Sequence, residues 1–239
     1  MRIESIVFAL CVVCASLPAM AADMATRDVV ALLFAATPEK PANLSGKDLR
    51  NLDLAGVDFK RANLKGAFLF GADLSGAKLS GCDLEGANLD RATLTRADFS
   101  GANLANASIR RPTIYTSMTP DAAEAPTFRG SNLTQAWLEG LFDYSDFREA
   151  DLSNARFGAL NPRDNQGIIS GAVLRSAKFT NATLKDVIFV RADLSFADFS
   201  GARLDGGDLR DANLLRAIFH NASLLNADLS GAQTEEANW

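Results

Sequence analysis

His220, Cys11, Cys14, Cys82 and a train of carboxylates are the side chains of this 239-residue chain that could carry acid, base, nucleophilic or metal chemistry. Catalysis needs such groups to converge within hydrogen-bond reach, and a metal needs its nitrogen, sulfur or oxygen ligands gathered at one point. The spacing provides neither. His220, the single histidine, directly follows the large apolar Phe219 and has no designed base or nucleophile partner. Asp48, Asp53 and Asp58 recur at intervals of five, which sets them on different faces of whatever element carries them, and no His/Cys cluster has zinc-ligand spacing. The glycines follow the same regular interval and do not open a phosphate-binding helix. The sequence therefore offers no catalytic, cofactor-binding or metal-binding residue, and an enzyme is not expected.

The element that positions these side chains is written in the apolar residues. Leu44, Leu49, Leu54, Phe59, Leu64 and Leu69 begin a series that reaches Ile114 without a failure, and a second strict series runs from Ile169 through Leu174 and Phe179 to Leu229. Two places before most of these stands a small residue, such as Ala62, Ala67 or Ala72, and Asp or Asn commonly stands just before. A period of five is neither the 3.6 of a helix nor the 2 of a strand, so the chain must turn a corner every five residues. Gly46, Gly66, Gly71 and Gly76 sit where those corners fall and tolerate the positive φ that tight turns require. Phe179, Phe199 and Phe219 recur every twenty residues, which fits four sides to a coil. Equivalent side chains of successive coils then stack about 4.8 Å apart.

The tandem phrase A(D/N)LxG, plainest in "ADLSGAKLSGCDLEGANLD" (residues 72 to 90), resembles the signature of the pentapeptide-repeat family and covers residues 43–233. The resemblance implies an all-β fold, a right-handed quadrilateral parallel β-helix with a large centre and a small residue packed inside each five-residue side. About nine coils are expected, forming a rod on the order of 40 Å long with no room inside for a ligand. Cys82 stands in a small inward slot two places before Leu84, where a thiol acts as an apolar filler.

The ends differ from the middle. Residues 1–22, with Arg2, an apolar run from Ile6 to Ala15 and small residues at Ala19 and Ala21, read as a secretory signal peptide cleaved just after Ala21 or Ala22. That run is too short to span a bilayer, and Cys11 and Cys14 match a lipoprotein pattern poorly. Removal leaves Cys82 as the only thiol, so no intramolecular disulfide can form. Export to a periplasmic or secreted location is expected, with a photosynthetic lumen as an open alternative. Residues 23–42 read as a short N-terminal capping helix and linker, with Thr26 as N-cap, and 234–239 as a tail.

The phrase breaks in three places. Residues 115–127 carry two prolines and no repeat, Leu138 to Phe142 spans four residues instead of five, and the text after Phe157, near 158–168, exceeds two repeats by two residues. If that excess simply bulges outward, Phe157 joins the ladder of Phe179, Phe199 and Phe219. Tyr115, Trp137 and Tyr144 lie in or beside the breaks, and exposed aromatics commonly anchor interfaces. They are the candidate partner-binding residues.

With a formal net charge of −5, nucleic acid is not an expected partner. The favoured function is a rigid, non-catalytic module binding an unknown protein partner, as a monomer or weak homodimer, with no membrane span after signal removal. The alternative carried by the family resemblance is a DNA-mimicking inhibitor or protector of gyrase. Outward Arg91, Arg96, Arg110 and Arg111 speak against the acidic face it needs.

Overall fold

A computed structural model describes residues 24–37, 39–158 and 171–239. The expected signal peptide and Ile169 lie outside the described residues, as does most of the break near 158–168.

The backbone hydrogen bonds show why five residues make one side. In the side centred on Leu74, the Leu74 N–H donates to Thr93 O of the next coil (2.8 Å), and the Asp73 N–H donates to Leu52 O of the previous one (2.9 Å). At the corner the Gly76 N–H donates to Thr95 O (2.7 Å), and the Ala77 N–H closes a tight turn onto Leu74 O (2.9 Å). Gly76 takes φ +63°, the left-handed conformation that the third residue of a type II turn needs. Asp or Asn before the centre also has a local task, since Asp73 Oδ1 accepts from the Ser75 N–H (2.9 Å) and satisfies a corner donor.

Parallel bridges tie residues twenty apart, as in Asn43 to Asn63 to Asp83 to Asn103 and Asp48 to Phe68 to Asn88 to Ser108. Four ladders result. Side one is centred on Leu44, side two on Leu49, side three on Leu54 and side four on Phe59, with each centre repeated one coil on. Pairing lengthens to regular parallel strands at β1 (Ser108–Arg110), β2 (Trp137–Glu139) and β3 (Arg156–Phe157), all on side two.

The centres and the small residues two places earlier form one continuous buried core. Cys82 occupies its alanine slot, and burial pushes its thiol up to about 12, so it stays protonated and unreactive. On side four the centres from Phe99 onward are aromatic. Phe99, Phe128, Phe147, Phe179, Phe199, Phe219 and Trp239 stack face to face, with ring centroids 4.6 to 5.1 Å apart.

That stack corrects one expectation. Phe147 stands over Phe179, whereas Phe157 stacks on Phe189 at 4.7 Å on side two. The pairings Arg156 to Ile188 and Val173 to Asp193 make Leu174 the next side after Phe157. Phe157 and Leu174 are therefore centres of consecutive sides, where two further sides had been counted between them. A second correction concerns residues 234–239. Asn238 pairs with Ile218, and the Trp239 ring lies on Phe219, so the supposed tail continues the rod.

At the other end, α1 (Thr26–Ala35) buries Val29 and Leu33 against the first coil. Its N-cap is Ala25, with the Ala25 N–H donating to Asp28 Oδ2 (3.1 Å). Thr26, expected as N-cap, is instead the first helical residue, one place further on, and donates its hydroxyl to Asp53 O (3.0 Å).

Candidate partner-docking site

All three breaks in the phrase flank side three. Asp98 pairs with Thr127, an offset of 29, so the excess of the first break leaves the rod between Ile114 of side three and Phe128 of side four. The shortened corner, at Gly140, joins Leu138 of side two to Phe142 of side three. The third break falls at the same edge one coil on, and the described residues that flank it, Gly158 and Gly171, form an antiparallel bridge. A Cβ on Gly171 would lie 2.0 Å from Arg191 O, so only glycine fits against the coil beneath.

The first loop is pinned to the rod by Glu124. Its carboxylate accepts from the Thr116 N–H (2.8 Å) and from the Thr116 hydroxyl, and its carbonyl accepts the Arg96 N–H (2.7 Å) in place of a regular rung. The Thr116 hydrogen bonds hold the Glu124 carboxyl below its ordinary value. Thr95, in an outward place of the phrase, is buried, and its Oγ1 and the buried Ser145 Oγ have no hydrogen-bond partner among the described residues. Met118, by contrast, is fully exposed.

Between this loop and side three lies a groove of about 410 Å³ lined by Pro120, Asp143, Tyr144, Arg175, Ser176 and Phe196. Tyr144, Ser176 and Phe196 are the same corner on successive coils, so two aromatic rings flank a serine notch. Tyr144 (φ 58°) and Phe196 (φ 61°) stand in the left-handed place where the phrase puts glycine. Bulky residues avoid that conformation at a cost of roughly 1 kcal/mol, which the corner imposes on any side chain that replaces glycine there. Phe196 is 48% exposed and Leu141, across the same side, 45%. The floor is polar but neutralised. Asp143 is 1% exposed at its side chain and accepts from Arg175 Nε (2.7 Å) and the Arg175 N–H (3.2 Å). These bonds raise the Arg175 guanidinium further above its ordinary value.

Of the three candidates from sequence, the groove therefore contains only Tyr144. Tyr115 is partly buried against the core, and its hydroxyl donates to Asp143 O (3.1 Å). Burial foremost, with Asp143 nearby, pushes that phenol well up from its ordinary value. Trp137 lies on side two beneath Arg110, whose guanidinium carbon is 4.5 Å from the ring centroid, and its indole N–H donates to Gly158 O (2.6 Å). Both aromatics hold the breaks in place and are not free anchors. Sequence reading missed Phe196, Leu141 and the Asp143–Arg175 pair. The signal for Phe196 was present as a large aromatic standing in a glycine's place.

Among the described residues no group of three or more His, Cys, Asp or Glu could hold a metal ion, and no helix is long and apolar enough to cross a membrane.

A comparison with curated protein sequences gives no match. Among solved structures, the rod is similar to HetL, a pentapeptide repeat protein involved in heterocyst differentiation regulation from the cyanobacterium Nostoc. The two are 28% identical over 82% of each chain, with a TM-score of 0.60. QnrB1, a plasmid-mediated fluoroquinolone resistance protein, is 22% identical over 80% of this chain and 88% of its own, with a TM-score of 0.42. A pentapeptide repeat protein of the Arabidopsis thaliana thylakoid lumen is 31% identical over 52% of this chain and 70% of its own, with a TM-score of 0.28. The pentapeptide-repeat family profile matches residues 42–71, 72–111, 168–206 and 197–233. The chain belongs to the pentapeptide-repeat family, and its four-sided rod is a right-handed β-helix.

Proposed function

We propose that the protein is a non-catalytic docking module that binds a protein partner across side three. The observation that carries this reading is the convergence of three breaks, far apart in sequence, on one side of the rod. There the surface exposes Leu141, Tyr144 and Phe196. Function on a common scaffold resides in added sites, and exposed aromatics beside a neutralised ion pair form a desolvatable anchor. We also read α1 as the cap that covers the first coil, and residues 1–22 as a signal for export to the periplasm or medium.

The test is affinity capture from the envelope fraction of the source cells, with wild type and a Tyr144→Gly/Phe196→Gly variant as baits. Glycine suits both corners, so the variant is expected to fold and to lose the partner. Capture of the same partner by both baits overturns the reading. For the gyrase alternative, a supercoiling assay with purified protein discriminates, and an unchanged supercoiling rate is the expected result.

A further inference from the structure

Side three has a second edge, where it meets side two. The corner column there runs Gly71, Arg91, Arg111, Gly140, and the column beside it Phe70, Asp90, Arg110, Glu139. Phe70, Asp90, Arg91, Arg110, Arg111 and Glu139 line a cleft of about 280 Å³. Its charges do not cancel. Asp90, nearly fully buried, accepts from the Arg110 N–H (3.0 Å) and Nε (2.8 Å) and from the Ser108 hydroxyl (2.6 Å). Arg111 Nε donates to Glu139 Oε1 (3.0 Å). Arg91 has no carboxylate partner among the described residues, and its guanidinium carbon lies 5.6 Å from the Phe70 ring centroid. Three guanidinium groups against two carboxylates leave one positive charge at the mouth of the cleft, in a chain whose net charge is −5. Arg91 and Arg111 occupy adjacent rungs about 4.8 Å apart, but Arg111 is paired with Glu139, so Arg91 carries the charge left for an anion. A carboxylate suits that place, because planar guanidinium forks match its two oxygens.

The cleft and the aromatic groove are opposite edges of one side. Gly140 to Tyr144 crosses the side, about 13 Å at most at ~3.3 Å per residue, with exposed Leu141 between. The seat at Ser176 lies three coils along the rod from Arg91, about 14 Å at ~4.8 Å per coil, so the two sites are roughly 19 Å apart. Resting on the docking reading above, we propose that the cleft receives an Asp or Glu side chain of the docked partner. That acid stands about five or six places along an extended segment from the apolar residue seated between Tyr144 and Phe196. The Phe70 ring shields the site and strengthens the charge pairing, while the neutral Asp143–Arg175 floor selects an uncharged side chain at the other edge.

The probe is a random-peptide phage library selected against the immobilised, folded protein. Enriched peptides are expected to carry Asp or Glu about five or six residues from an aromatic or branched aliphatic residue. A synthetic peptide of that sequence should lose at least tenfold in affinity with Arg91→Gly, a corner change that glycine tolerates. Changing its acid to the amide should cost as much, and the two changes together little more than either alone. Arg61→Gly, on another corner, should leave binding unchanged. Enriched peptides without an acid, binding indifferent to Arg91→Gly, or no enrichment overturns the inference. If Tyr144→Gly/Phe196→Gly still abolishes partner capture, the docking reading stands without it. If that capture persists, both fall.

Discussion

The coils of residues 44–103 and the stretch from 104 to 183 are built on the same core, yet their surfaces differ. Within the first, every bridge between its own residues spans twenty, and corners are glycine, asparagine or arginine. In the second the offsets become 29, 19 and 32. Inside, nothing changes. Phe99, Phe128, Phe147 and Phe179 stack 4.9 to 5.1 Å apart with ring planes within 6° of parallel, straight through two insertions. The rod accepts irregular chain only where it leaves at a corner, because an extra residue within a side would rotate every later centre off its ladder. The regular region shows what the fold requires, and the interrupted region shows what has been added to it.

The largest expected effect tests the shared core. Phe147→Ala, in the interrupted stretch, should cost about 4 kcal/mol and Leu79→Ala, in the regular one, about 3 kcal/mol, measured by urea unfolding. A loss under 1 kcal/mol for Phe147 would mean that the stack is not continuous there. Next is Arg175→Ala, which strands the buried Asp143 carboxylate and should cost roughly 3 kcal/mol. Arg50→Ala in the regular coils, whose partner Asp48 reaches solvent, should cost about 1 kcal/mol or less.

Acid should erode both regions. Hydrogen bonds from Arg50 lower the Asp48 carboxyl; burial raises that of Asp146, but the bonds from Arg148 outweigh it, so that it too titrates low. A lowered folded-state value gives stability that is complete above the unfolded carboxyl value near ~4 and is lost as pH falls through the folded value. The melting temperature should hold from pH 7 to about 5 and fall below about 4; a rise on acidification contradicts the assignment. The smallest effect has the opposite sign. Ser145→Ala restores the phrase's alanine and removes an unsatisfied hydroxyl, so it should stabilise by about 1 kcal/mol. Destabilisation there would reveal a partner for that hydroxyl.

The tube was legible in sequence because each coil position is constrained in the same way every five residues. Leu44 to Ile114 and Leu174 to Leu229 all fall where the period places them. The docking site was legible only in part. Which residues share an edge depends on how much of each break lies outside the rod, and sequence spacing cannot divide an insertion between side and loop. Counting two sides in the third break shifted Phe157 to the wrong ladder. Tyr115 and Trp137 looked available because aromatic residues beside loops are ambiguous until their polar atoms find partners, here Asp143 O and Gly158 O. Phe196 went unread although it broke the rule at a glycine position, since no insertion drew the eye there.

The hydrogen bonds between coils, such as Leu44 N–H to Asn63 O and Leu64 N–H to Asp83 O, run along the length of the rod. Tension applied to its two ends therefore loads those bonds one coil at a time and not all together in shear. The molecule under load is a zipper, yielding in small equal steps, and a partner spanning side three across the interrupted coils would act as a clasp on the teeth it covers.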